Sequence, residues 1–230
     1  MKIIASVLAA AFLGFAALGA EPARDDLPRG RVCISVVEPG TPEHEVVFNA
    51  AILPGPGKKI RIYADASIKR SVVVVAMRKD GKLAGGWQPQ IAELPEEFEE
   101  AQLPSPPTAW NWTSPVPPFD FHILFLPPGS KELETLKKLV AAMRNPKADE
   151  RLVAMQTNKL REIISGISGS LEQGNRVTAI AVEVGGVFRG SAFPWRQYAR
   201  SVSFSADRAG VLVLSSAKDE APKAAASAPQ

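Results

Sequence analysis

The sequence predicts an α+β fold in which an antiparallel, sandwich-like sheet carries two central amphipathic helices on one face. Residues 130–167 hold the only long stretch with a helical period, and short alternating strand patterns lie on both sides of it. A helical pair between two β regions buries its apolar side most simply against a sheet drawn from both. A β-sandwich with the helices inserted at one end is the alternative.

Hydrophobic residues recur with the period of an α-helix in two consecutive segments of this stretch. Ser130 can cap the first helix, because its hydroxyl accepts a hydrogen bond from an amide that the first turn leaves unpaired. Asn145 and Pro146 are typical of the start of the second helix. Gly166 and Gly169 indicate its end. The stripes predicted to face the core are Leu133, Leu136, Leu139, Val140 and Met143 in the first helix and Leu152, Val153, Leu160, Ile163, Ile164 and Ile167 in the second.

Strands are predicted where hydrophobic residues alternate with polar ones or form short β-branched runs. Residues 71–77 are almost entirely apolar, which favours a central strand covered on both faces, one of them by the helical pair. Asp80 and Gly81 supply a tight hairpin turn. The proline-rich residues 89–118 are predicted to be a loop, with a solvated helical turn around Phe98. The other predicted strands lie near residues 32–36, 46–52, 60–64, 119–125, 177–184, 202–204 and 211–214.

The beginning of the chain is predicted to be a secretory signal peptide of bacterial type. Lys2 precedes an apolar stretch, and the small residues up to Ala20 suit cleavage. The stretch is short for a membrane span, and no cysteine follows it directly to carry a lipid. We therefore expect a periplasmic or secreted protein. Its predicted parts are a signal peptide at residues 1–20, a linker at 21–30, a single α+β domain at 31–216 and a disordered tail at 217–230.

The charge and cysteine content argue against several classes of protein. The chain has 27 basic and 24 acidic residues, so removing Lys2 with the leader leaves a net charge of +2. This near balance disfavours a nucleic-acid partner. No later segment is apolar enough to span a membrane. The single cysteine, Cys33, allows no internal disulfide, and its place in a strand pattern indicates a small buried side chain.

Four local features between residues 59 and 140 carry a resemblance to known domains. They are the valine strand at residues 72–75, the turn Lys79-Asp80-Gly81, the exit Trp87-Gln88-Pro89 and a proline-rich lead into Phe119. In these features the chain resembles a class of bacterial β-sandwich domains of unknown function that occur on envelope, surface and signalling proteins. The resemblance implies a non-enzymatic accessory role, because that class has no assigned chemistry.

One histidine pattern is compatible with hydrolysis. Asp120 and His122 are two residues apart on a predicted strand, so both side chains would emerge on one face as a base and its orienting carboxylate. The sequence contains no Gly-x-Ser-x-Gly elbow to supply a nucleophile, and a solvated strand face explains the pair more simply. His44 lies between two glutamates without a second histidine or a cysteine cluster, so no metal or cofactor is predicted. A hydrolase using His122 with Asp120 is the alternative function.

Aromatic and arginine residues in two predicted loops give the main functional hypothesis. Exposed tryptophan, tyrosine and arginine side chains dominate binding surfaces, because they supply large rigid contact areas and fixed donors. In the competing interpretation the tryptophan rings fold back over the ends of the sheet. The main hypothesis is an exported, non-catalytic envelope protein that binds a peptide, a glycan or a protein partner. Its candidate binding residues are Trp110 and Trp112 in one loop and Arg189, Trp195, Arg196 and Tyr198 in the other.

Overall fold

Two antiparallel β-sheets lie face to face in the computed structural model of the protein, and two helices cover the outer side of one sheet. The predicted α+β, sandwich-like architecture with both helices on one face is confirmed. The structure describes residues 27–37, 45–47, 59–84, 87–106, 108–111, 119–145, 147–171, 187–188, 194–197 and 199–215.

In the described part of the chain, eight strands precede the two helices and three follow them. A short 3-10 turn at Trp195–Gln197 interrupts the last part of the chain. In chain order the elements are β1 (Arg29–Val37), β2 (Glu45–Val47), β3 (Lys59–Ala66), β4 (Arg70–Arg78), β5 (Gln90–Leu94), β6 (Ala101–Leu103), β7 (Trp110–Asn111), β8 (Phe119–Leu126), α1 (Lys131–Met143), α2 (Glu150–Leu171), β9 (Val187–Phe188), β10 (Arg200–Ser203) and β11 (Gly210–Ser215).

The larger sheet is built around β1, which pairs with β3 from Gly30 to Val37 and with β10 and β2 on its other side. In the described part of the chain this sheet has seven strands, and its main path runs β6-β3-β1-β2-β9. The smaller sheet has four described strands in the order β11-β8-β4-β5. β1 begins at Arg29, within the segment predicted to be a linker.

The main core fills the space between the two sheets. Alternate residues of β4, Val72 and Val74, point into it, while Val73 and Val75 face the helices. Both faces of β4 are therefore covered, as its β-branched run predicts. At one end of the core the ring of Phe125 packs directly on β1, because Gly30 has no Cβ; a Cβ there would lie 2.6 Å from the ring.

Helix α1 matches its predicted pattern closely. The Ser130 hydroxyl accepts a hydrogen bond from the Leu133 amide at 3.3 Å, so the predicted cap is confirmed. All five residues of the predicted apolar stripe are buried against the smaller sheet. Among the described residues, no helix combines the length and the apolar character that crossing a bilayer requires.

The predicted ends of the second helix are wrong. Helix α2 begins at Glu150, where Asp149 Oδ1 accepts from the Leu152 amide at 2.7 Å. Asn145 caps a separate turn instead, accepting from the Lys147 amide at 2.9 Å. Gly166 does not end the helix, which continues to Leu171. A glycine costs a helix interior only about 1 kcal/mol, and Ile164 and Ile167, buried on the sheet, outweigh that.

The described part of the proline-rich residues 89–118 contains three strands where a continuous loop was expected. Three of the described prolines lie at strand ends: Pro89 and Pro95 flank β5, and Pro104 follows β6. A proline at a strand end removes no amide from the ladder, so the segment can pair in short pieces. The predicted strand at residues 177–184 lies outside the described residues.

Candidate functional site

A buried carboxylate organises the outer face of the larger sheet, the side away from the core. The β1–β3 register places Arg31 directly opposite Asp65 on this face. Arg31 donates from Nε and Nη2 to the two carboxylate oxygens at 2.8 and 2.7 Å. Arg196, in the 3-10 turn, donates from Nε to Oδ2 at 2.8 Å. The Asp65 side chain has no exposed surface, whereas both guanidiniums reach solvent, so one buried charge fixes the position of two surface cations.

Next to these arginines lies Phe98, a large apolar side chain that is half exposed at 50 %. Its backbone φ is +57°, a conformation that a bulky L-residue rarely adopts. Three contacts hold it there. The Phe98 amide donates to the Ala66 carbonyl at 2.6 Å, Arg196 Nη2 donates to the Phe98 carbonyl at 2.9 Å, and the Arg31 guanidinium lies 5.3 Å from the ring centroid. The predicted helical turn around Phe98 is therefore wrong, because a positive φ is not helical.

Trp195 fastens the 3-10 turn to the same face. Its ring is buried at 3 % exposure and stacks on Tyr63, with the ring centroids 6.0 Å apart. Its Nε1 donates to Glu100 Oε2 at 2.6 Å. The outer-face site is thus a connected group in which β1, β3, the β5–β6 connection and the 3-10 turn each supply a side chain. Its members are Arg31, Asp65, Phe98, Glu100, Trp195 and Arg196.

The candidate binding residues taken from the sequence are in different environments. Arg196 is exposed beside Phe98, as a binding residue would be. Trp110 and Trp195 are buried, so the expectation of solvated rings is wrong for both and the interpretation in which the rings cover the sheets applies. Trp110 stacks on Trp87 with ring centroids 5.3 Å apart, and both rings belong to the core between the sheets. Trp112, Arg189 and Tyr198 lie outside the described residues.

The two residues of the alternative hydrolase pair share a strand face but are not hydrogen-bonded to each other. Asp120 and His122 both lie on the helix-facing side of β8. Within the described residues, His122 Nδ1 is buried without a hydrogen-bond partner. The Asp120 carboxylate instead accepts from Lys79 Nζ at 2.9 and 3.1 Å. The base–carboxylate hydrogen bond that would orient a catalytic imidazole is therefore missing.

His122 makes a testable contribution to pH dependence. Burial lowers the pKa of the imidazole below its usual 6.5; the nearby Asp120 charge raises the pKa and Lys79 lowers it. A histidine with a depressed native pKa binds fewer protons folded than unfolded, so the free energy of unfolding falls as the pH drops below about 6.5. We expect His122→Gln to lose less stability than the parent protein between about pH 7.5 and about pH 5.5. Urea unfolding at both pH values measures this, and equal losses would contradict it.

Two clefts lie along α2, away from the outer-face site. One, of about 690 Å³, has Leu126, Ile163 and Ile167 in its wall. The other, of about 550 Å³, includes Leu83 and Val153. Neither is lined by His122 or Asp120. In the part of the chain that the structure describes, no three His, Cys, Asp or Glu side chains converge as metal ligands would.

Four members of the outer-face site, Arg31, Asp65, Phe98 and Glu100, are not predicted as site residues by the sequence. Arg31 and Asp65 lie 34 residues apart, and only the β1–β3 register brings them together. Opposite charges at the polar positions of two alternating strands are the signal that could have paired them. Phe98 stands out in sequence only as an apolar residue among glutamates, and nothing there indicates its positive φ.

Comparison with protein-family models, with curated proteins and with solved structures found no match for the chain. The contacts, charges and exposure of the outer-face site are therefore the basis on which its role can be argued.

Proposed function

We propose that the protein is an exported, non-catalytic binding protein that recognises a protein partner through the outer-face site, with Phe98 as the central anchor. The observation that carries this proposal is a half-exposed phenylalanine held at positive φ by three separate contacts. A protruding ring fits a pocket on a partner surface better than it encloses a small molecule. A protein or peptide is therefore the favoured partner class.

The energetics of Phe98 support a binding role. A non-glycine residue in a sparsely populated backbone region costs about 1–3 kcal/mol, and such residues persist where the surrounding structure holds them at ligand sites. Burial of the ring offsets little of this strain energy in the free protein, because half of the ring surface stays in water. When a partner removes that surface from water, the burial of the ring would offset the strain energy and favour binding.

The surroundings of Phe98 also favour tight recognition. Both guanidiniums beside the ring are fixed by the buried Asp65, so they need not be ordered when a partner arrives. Fixing donors and rings in advance reduces the entropy that binding costs, and aromatic and arginine side chains are the residues that contribute most to binding energy. Arg196 keeps the binding role that its sequence position suggests.

Export is the second part of the proposal. Lys2, the apolar stretch after it and the small residues near Ala20 support cleavage of a leader and a periplasmic or secreted location. The main hypothesis does not require the His122–Asp120 pair, whose geometry lacks the orienting hydrogen bond.

Photo-crosslinking tests the proposed function directly. Phe98 is replaced by the photoreactive analogue p-benzoylphenylalanine in cells that make the protein naturally, and the cells are irradiated. We expect one discrete protein adduct in the envelope fraction, because an anchor buried in a partner lies within reach of its side chains. N-terminal sequencing of the adduct should show that this protein's chain starts just after Gly19 or Ala20.

Met155 and Val213 supply matched controls, since they are exposed hydrophobic residues at 46 % and 43 % on α2 and β11, away from the outer-face site. The analogue at either position should give no comparable adduct. An absence of adducts from position 98, or the same adducts from all three positions, would overturn the proposal.

A further inference from the structure

The local charge around Phe98 differs in sign from the chain as a whole. The connection between β5 and β6 carries Glu96, Glu97, Glu99 and Glu100, and all four are exposed. With Asp65, the outer-face site and this connection hold five carboxylates against two guanidiniums, a net charge of −3. The full chain has a net charge of +3. Because Arg29 and Arg61 add positive charge to the same face of β1 and β3, the negative field is local to the β5–β6 connection. There it would attract cations and repel anions at short range.

The two arginines do not reverse this field, because both guanidiniums bind the buried Asp65 carboxylate. Arg31 lies over the Phe98 ring, with its guanidinium 5.3 Å from the ring centroid. Half of the Phe98 surface remains open to solvent. The face of an aromatic ring carries partial negative charge. A ligand that combines a cation with an apolar group therefore complements an exposed ring bordered by carboxylates.

Resting on the proposed function, we infer that the partner presents a basic segment in which arginine or lysine side chains flank an apolar residue that packs on Phe98. The ring and the fixed arginines define the site, and the glutamates determine the sign of the charge that its partner carries. An acidic segment would bring like charges to within a few ångströms of four exposed carboxylates, which opposes binding. A neutral apolar segment would gain only the contact with the ring.

Three synthetic peptides with Leu-Arg-Arg, Leu-Glu-Glu or Ser-Arg-Arg repeats test this inference. Each is titrated into isotope-labelled protein while the backbone amide signals of Phe98, Glu99 and Glu100 are followed by NMR. We expect the Leu-Arg-Arg peptide to shift these signals and the Leu-Glu-Glu peptide to leave them in place. The Ser-Arg-Arg peptide should bind more weakly, because it has no apolar side chain for the ring.

Two variants show which groups are responsible. Changing Glu96, Glu97 and Glu99 together to glutamine should weaken the Leu-Arg-Arg peptide about tenfold, because each lost surface charge contributes a modest part of the attraction. Glu100 is kept, since it accepts the Trp195 hydrogen bond. Phe98→Gly should reduce Leu-Arg-Arg binding to that of the Ser-Arg-Arg peptide. Circular dichroism checks that both variants are folded.

Any of four results would overturn the inference. They are binding of the Leu-Glu-Glu peptide, unchanged Leu-Arg-Arg affinity in the glutamine variant, equal affinity for the two arginine peptides, and no shift with any peptide. None of these results would remove a discrete cross-link from position 98. The experiments therefore distinguish an error in the inferred charge of the partner from an error in the proposed binding function.

Discussion

Arg31→Gln should lower the free energy of unfolding by about 3 kcal/mol, because it leaves the Asp65 carboxylate buried with only Arg196 to neutralise it. Breaking a buried ion pair from one side is costly, since the remaining charge cannot return to water. The Arg31 side chain is 31 % exposed, so water screens part of the pair and the lower end of the usual range applies. Urea unfolding gives the value from the transition midpoint and slope.

A double variant and a surface pair are the controls for this prediction. Asp65→Asn in the Arg31→Gln background should restore part of the lost stability, because it removes a buried charge that has lost one of its two arginine partners. Asp120→Asn, which breaks the more exposed pair with Lys79, should cost less than about 1 kcal/mol. If Arg31→Gln costs no more than Asp120→Asn, Asp65 does not organise the outer face.

Trp195→Ala should lower the free energy of unfolding by about 3–5 kcal/mol, the range for deleting a buried tryptophan. The ring is 3 % exposed, stacks on Tyr63 and donates a hydrogen bond to Glu100. Its loss would release the 3-10 turn that carries Arg196. A calorimetric scan should show a large fall in the melting temperature, and Trp195→Phe should recover part of it through stacking alone. A melting temperature close to that of the parent protein would mean that the ring is not part of the folded interior.

Local patterns in the sequence predict the central strand and the first helix correctly for a physical reason. The β-branched run in β4 and the stripe in α1 depend on near neighbours along the chain and on burial. Asn145 and Pro146 mislead because the same residue types that start a helix also make a free-standing turn. Asp149, four residues later, provides the cap that the helix uses.

The outer-face site is harder to predict because long-range contacts build it. Arg196 reaches Asp65 across 131 residues of sequence, and Trp195 reaches Glu100 across 95. The sequence around a tryptophan in a predicted loop does not show whether the ring is exposed for binding or buried in the core. Trp110 and Trp195 are buried against rings that are distant in sequence, Trp87 in the β4–β5 connection and Tyr63 on β3.

The free energy of unfolding of Phe98→Gly shows whether the fold holds this ring exposed for recognition at a cost in stability. Glycine adopts positive φ without strain, and the exposed ring contributes little burial. We therefore expect the free energy of unfolding of the variant to lie within about 1 kcal/mol of the parent value or above it. Peptide binding at this site should be lost with the ring. A loss of about 3 kcal/mol or more, as for a core phenylalanine, would show that the ring serves the fold and would contradict the account.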